Sequence, residues 1–321
     1  GLRSPRVLGM TSPSTPSDPG ARRPPLVIAL MGPTASGKTD LALALAEALD
    51  LAVISVDARQ LYIGMDIGTA KPTAEQRRRV RHELIDLREP SQPFTLQEFL
   101  PLARDAIRSE LDRCGLALLA GGSGLYLQGL LQGLTPPAVP PQAQLREQFR
   151  ALGQPICHAV LATCDPVAAT RIAPADTSRT ERALEVMYAT GQTLSSQQRR
   201  VPPPWPVLEL GLNPVDLSQR IKQRTQRMYQ EGLVRETAAL ISRHGDTCAL
   251  LDTIGYDEAR RLLRGELEEA QAIACTEQRT RQYAKRQRTW FRRQHCPLWL
   301  DDKDLMQQAL RAVETTRQGL G

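Results

Sequence analysis

No stretch of this chain approaches 18 uninterrupted apolar residues, so hydropathy offers no membrane-spanning helix. Its six cysteines (114, 157, 164, 248, 275 and 296) form no C-x-x-C pair and stand at no zinc-finger spacing from histidine. That argues against a zinc site or a disulfide framework and predicts free, buried thiols in a reducing, cytoplasmic setting. Cys157 and His158 are neighbours, but one adjacent pair is not a metal site. Aromatic residues are only 4%, too few for nucleic-acid recognition through many stacking platforms. There is no N-K-x-D segment, which excludes a GTPase that reads guanine with it, and no internal repeat.

What is present is ordinary in bulk: 24% charged and 41% hydrophobic residues in 321, enough for one large domain or two smaller ones. Lys and Arg exceed Asp and Glu by 41 to 35, a net +6 that points to a polyanionic partner once the charge is located. Residues 1–24 are rich in Ser, Pro, Gly and Arg and read as a disordered tail. A transit peptide would need an amphipathic helix that this segment lacks, and Met10 is a second candidate start.

The sharpest local signal is GPTASGKT, Gly32-Pro33-Thr34-Ala35-Ser36-Gly37-Lys38-Thr39, which fits G-x-x-x-x-G-K-[ST]. An apolar run, PLVIALMG (25–32), leads into it, and a helical segment, TDLALALAEAL (39–49), leads out. That order makes a chance Gly/Ser turn the weaker reading. Backbone N–H groups from Ala35 to Thr39 are expected to line an anion-binding concavity, with Lys38 on a terminal phosphate and the Thr39 hydroxyl on Mg²⁺. Kinases, NTPases and some transferases all use such a loop.

LAVISVD (51–57), ELIDL (83–87) and LALLAGG (116–122) read as buried strands, with a helix between Thr95 and Cys114. The fold class expected is α/β, a P-loop NTPase-like parallel sheet with helices on both faces and a helical insertion domain. Prolines in GLTPPAVPPQ (133–142) and VPPPWP (201–206) bracket the insertion, 137–204, in which no strand is expected. Residues 25–136 and 205–321 form the core, with VLELGLN (207–213) and PLWLD (297–301) as its last strands. Asp57, at the end of the second strand, can be a metal-binding or capping carboxylate, or a general base for an incoming nucleophile.

QRTRQYAKRQRTWFRR (278–293) holds seven Lys or Arg and no acid. On a helix, Tyr283, Ala284, Gln287, Trp290 and Phe291 share one arc; Arg281, Lys285, Arg288 and Arg292 gather opposite. Such a helix buries one face and offers the other to a phosphate backbone; a solvated basic face is the plainer alternative, and a membrane-surface helix the weakest.

DARQLYIGMDIGTAKP (57–72), taken with GPTASGKT, RHELIDL, AGGSGLYLQGLLQGL, RALEV and KRQRTWFR in that order, resembles the tRNA dimethylallyltransferase (isopentenyltransferase) family, bacterial type, from about Leu26 to Leu300. The resemblance implies transfer of a dimethylallyl group from dimethylallyl diphosphate to N6 of adenosine 37 in tRNAs reading codons that begin with U. It makes Asp57 the base and puts Gln60 at the target adenine, Ser123 (where the family usually has Thr) near the reacting centre, and Arg220 at the diphosphate. It implies contact with the tRNA anticodon stem-loop by the basic helix (Lys285, Arg286, Arg288, Arg292) and by insertion residues Arg179 and Arg182. Mg²⁺ is the cofactor implied, and a monomer is the default. The chain departs from the family pattern at Ala58, Ile63, Glu83, Asp252 and Asp257, which bears on the finer tRNA contacts. A small-molecule kinase, an RNA-binding protein with a degenerate phosphate site, and an enzyme prenylating free adenosine phosphates are the rival readings.

Overall fold

A computed structural model describes residues 23–135, 139–197, 199–200 and 203–321. Residues 1–22 of the expected tail, and parts of both proline-rich joints, lie outside the described residues. The chain opens with β1 (Leu26–Met31), α1 (Lys38–Leu49) and β2 (Val53–Ser55), then α2 (Ala74–Arg79), β3 (His82–Glu83), α3 (Leu96–Cys114) and β4 (Leu116–Gly121). After α4 (Gly124–Gln132) and β5 (Leu134–Thr135) come five helices of the insertion: α5 (Ala143–Leu152), α6 (Gln154–Cys164), α7 (Pro166–Arg171), α8 (Thr177–Thr190) and α9 (Leu194–Gln197). β6 (Arg199–Arg200) and β7 (Val207–Gly211) lead back to α10 (Leu217–Glu231), α11 (Leu233–His244), α12 (Tyr256–Leu263), α13 (Glu269–Gln294), β8 (Leu298–Trp299) and α14 (Leu305–Leu320).

Six strands form one parallel sheet in the order β3-β2-β4-β1-β7-β8. Burial on both faces explains why β1 is apolar without interruption: all six of its side chains are buried. Alternate residues serve opposite layers. Val27, Ala29 and Met31 pack into the larger cluster, with Phe99, Leu127, Leu233 and Phe291 from the helices on that side. Leu26, Ile28 and Leu30 pack with Leu41 and Leu45 of α1 and with Ala309 and Val313 of α14 on the other. Each such buried Leu or Ile contributes about 1.5–3 kcal/mol. Because α1 leaves β1 on one face and α4 leaves β4 on the other, a crevice opens between the ends of these adjacent strands.

Three expectations need correction. The strand expected over 83–87 is only His82–Glu83, since Leu84 (φ 66°) and Asp86 (φ 56°) enter the left-handed region and turn the chain away. Asp86 is drawn instead to Lys71 and Arg77. The strand expected over 297–301 is the two-residue edge β8. At the root of the insertion, β5 and β6 pair antiparallel, Leu134 with Arg200 and Thr135 with Arg199, where no strand was expected. Beyond that ladder the insertion has a core of its own, including Phe149, Cys157, Leu161, Ile172 and Leu184.

Candidate active site

The loop from Gly32 to Gly37 joins β1 to α1 and forms part of the wall of a cavity of about 1440 Å³. Gly37 sits at φ 93°, which a side chain would resist, and a Cβ on Gly32 would stand 2.6 Å from the Leu212 carbonyl oxygen. Lys38 folds back under the loop, its Nζ donating to the carbonyls of Gly32 (2.8 Å) and Pro33 (2.9 Å). Burial, with the Arg224 guanidinium as a second cause, brings the Lys38 ammonium down to about 7, against the pull of Asp57. Ser36 is buried in the loop, and its Oγ has no partner among the described residues.

Asp57 follows β2 and faces the same cavity. Its Oδ1 accepts the backbone N–H groups of Arg59 (2.9 Å) and Gln60 (3.3 Å), a local turn that fixes the carboxylate. Ser123 stands at the N-terminus of α4, and its Oγ accepts the N–H of Ala58 at 2.9 Å, so the ends of β2 and β4 are tied together beside Asp57. Gly121 permits that approach: a Cβ there would lie 1.9 Å from the Val56 carbonyl oxygen. Gln60 is turned inward, accepting from the Ser55 hydroxyl (2.9 Å) and donating to the Thr69 carbonyl (3.0 Å).

From α10, Arg220 reaches the loop: its Nη1 lies 3.4 Å from where a Cβ on Gly37 would be, while its Nε donates to Asp216 at 2.8 Å. One turn on, Arg224 donates to the Thr34 hydroxyl at 3.1 Å. Sequence reading passed over Arg224. Its place four residues after Arg220, on the same helical face, was the available signal. Burial lowers its pKa, opposed by nearby Asp57.

The segment after Asp57 is held by a residue that no motif singled out. Glu236 of α11 accepts the backbone N–H groups of Asp66 (3.0 Å), Ile67 (2.9 Å) and Gly68 (3.2 Å) and the Tyr256 hydroxyl (2.8 Å). Arg59 ties the same wall to α12's approach by donating to the Ile254 carbonyl at 2.9 Å.

The basic run forms the C-terminal half of α13. Ala284, Gln287 and Phe291 are buried, Tyr283 and Trp290 half-buried, and Lys285, Arg286 and Arg292 exposed; Arg288 is half-buried. Tyr283 lines the cavity, and burial with nearby Asp57 raises its hydroxyl pKa, so it stays protonated. Arg179 and Arg182 lie in the insertion, away from the cavity's lining. Arg179 is exposed, 3.6 Å from Asp176. Arg182 donates to buried Glu185 and to the Val139 carbonyl, each at 2.7 Å. Glu185 also accepts from Arg146 (2.7 Å), which more than any other group pulls its carboxyl down to about 2.

The family departures acquire partners. Asp252 (2.6 Å) and Asp257 (2.8 Å) both accept from buried Arg260, and Glu83 pairs with Arg81 at 3.2 Å. Ile63 is exposed, and Ala58 contributes its backbone N–H to Ser123.

A sequence model of the IPP transferase family matches residues 60–294. The tRNA dimethylallyltransferase of Synechococcus sp. (strain CC9902) is 61% identical over 290 residues, covering 90% of this chain and 97% of that protein. That of Synechococcus sp. (strain CC9311) is 60% identical over 304 residues, covering 95% and 97%. Among solved structures, the full-length tRNA isopentenylpyrophosphate transferase of Bacillus halodurans superposes with a TM-score of 0.67 at 34% identity, over 92% of this chain and 96% of that one. A eukaryotic dimethylallyltransferase acting on tRNA gives 0.74 at 26% identity, over 91% and 77%.

Proposed function

The chain belongs to the IPP transferase family, and on that premise we propose that it transfers a dimethylallyl group from dimethylallyl diphosphate to N6 of adenosine 37 in tRNA. Acceptors whose anticodons read codons beginning with U are the class this reading carries with it. The observation that supports it best is the meeting of Asp57 with residues 34–39 of the loop in one cavity, under a helix whose outer face is cationic. A carboxylate beside an anion cradle suits a reaction in which a diphosphate departs and an amine loses a proton.

The bond between the allylic carbon and the diphosphate oxygen breaks, its electron pair leaving with the diphosphate. The N6–carbon bond forms, and the N6 proton passes to the Asp57 carboxylate. Charge grows on the diphosphate as the bond lengthens, and on this reading Lys38, Arg220, Arg224 and loop N–H groups, all on the cavity's wall, are the groups that meet it. Ser123 holds the Ala58 N–H and so braces the turn that aims Asp57. Target adenine reaches such a pocket by leaving its stack, at a cost of roughly a few kcal/mol.

Among the described residues no group of three His, Cys, Asp or Glu gathers, so the chain offers a divalent ion no cage of its own. That suits Mg²⁺, which keeps its waters and binds through phosphate oxygens with few protein groups. Thr39, through its hydroxyl, is the residue that would hold it, and the ion would neutralise diphosphate charge.

The test is transfer of radiolabel from dimethylallyl diphosphate to unmodified tRNA transcripts carrying adenosines at 36, 37 and 38. Label confined to adenosine 37, and lost in both Lys38→Ala and Asp57→Ala, is the expected result. Absence of label, with ATP consumed on a small acceptor, would reject this reading for a kinase.

A further inference from the structure

Gln287 lies at the centre of the most basic run in the chain, yet it is uncharged and buried. Both ends of its amide are engaged. Oε1 accepts the N–H of Thr34 in the phosphate loop at 2.9 Å, and Nε2 donates to the carbonyl of Gly122, after β4, also at 2.9 Å. One side chain of α13 therefore spans the two loops that flank the crevice. Thr34 is gripped from its other side by Arg224 through the hydroxyl.

Two glycines show how tightly α13 is seated. A Cβ on Gly122 would lie 2.5 Å from Gln287 Nε2 and 3.6 Å from Lys38 Nζ. One on Gly124 would lie 2.2 Å from the indole ring of Trp290. Gln287 and Trp290 are thus among the inward contacts of the helix that carries Lys285 and Arg292 on its outer side.

We propose that Gln287 is a positioning residue that couples RNA held on the outer face of α13 to the diphosphate loop on its inner side. RNA that fixes α13 fixes the Gln287 amide, and with it the Thr34 N–H and the set of the loop around the anion. Linkage makes the effect mutual: RNA strengthens diphosphate binding by the same factor that diphosphate strengthens RNA binding. The inference rests on the tRNA reading above.

The experiment titrates inorganic diphosphate, with magnesium, into the full chain with and without saturating unmodified anticodon stem-loop RNA. In the wild type, RNA should tighten diphosphate binding by about fivefold or more, the range of ordinary coupling. In Gln287→Met, which fills the space without hydrogen bonding, that ratio should fall to near one while each ligand alone still binds. Gln287→Glu keeps the acceptor for Thr34 but offers no amide donor to Gly122, and should give an intermediate ratio; thermal unfolding checks that both variants fold. A merely structural Gln287 would weaken both ligands and leave the ratio intact, which overturns the proposal. A wild-type ratio of one overturns it too. A wild-type protein that binds no RNA sinks the tRNA reading, and this inference with it.

Discussion

Lys38 should report the arrival of the diphosphate as an uptake of protons. In the free protein its ammonium is buried against two carbonyls and shares the site with Arg224, which brings its pKa to about 7. A bound anion supplies the opposite charge and raises that pKa again. Above pH 7 the free protein holds mostly neutral Lys38, so binding must first add a proton. Apparent affinity should therefore fall about tenfold, or ~1.4 kcal/mol, for each pH unit above 7, and level off below it. At pH 8 the lysine should take up about 0.9 of a proton per diphosphate bound, from a pKa near 7 before binding and well above 8 after it. Isothermal titration calorimetry in buffers of different ionisation enthalpy counts those protons. Lys38→Arg stays charged throughout and subtracts the protons taken up by diphosphate itself. Equal proton uptake by wild type and Lys38→Arg would refute the reasoning.

Asp57→Asn keeps an oxygen to accept the Arg59 and Gln60 N–H groups, so its melting temperature should hold while label transfer drops by about 10²–10⁴-fold. Glu236→Ala strands three loop N–H groups and the Tyr256 hydroxyl; chemical denaturation should find a loss of about 3 kcal/mol or more. In the insertion, Glu185→Ala removes the buried partner of Arg146 and Arg182, which are each a third exposed and regain water, and should destabilise by about 1–3 kcal/mol. Because the Glu185 carboxyl is depressed to about 2, its contribution is complete above about 4.5 and vanishes as pH falls through 2, so the variant's deficit should shrink in acid.

The phosphate loop was legible because its chemistry is local. Gly32, Gly37, Lys38 and the strand and helix around them are adjacent in sequence, and burial on both faces writes β1 as an unbroken apolar run. The faces of α13 were legible for the same reason: helical periodicity sorted Ala284, Gln287 and Phe291 from Lys285 and Arg292, and burial follows that sorting. Arg224 had its spacing from Arg220 as a signal, but its Thr34 partner lies 190 residues away; Glu236 was not legible, since the N–H groups of 66–68 that it holds lie 168 to 170 residues away in sequence. Nor was the end of the strand at Glu83. Apolar Leu84 and Ile85 resemble more strand, whereas the turn is held by distant partners: Lys71 and Arg77 on the Asp86 carboxylate, and the Gln60 and Leu61 carbonyls on the N–H groups of Asp86 and Leu87. For Gln287, periodicity predicted a buried place without predicting that both ends of the amide would be occupied.

The ladder of β5 and β6, two residues to a side, roots an insertion that has its own core. Such a root sets the insertion apart as a second body beside the sheet. On the tRNA reading, an acceptor grasped by both bodies gains by effective concentration, since the second grip closes within a complex already formed. Selection among acceptors then works on reach as well as on contact. A stem trimmed short of the insertion should lose avidity by one to several orders of magnitude, about 10²–10⁴ at the upper end. Its turnover, once bound, should stay close to that of the whole molecule.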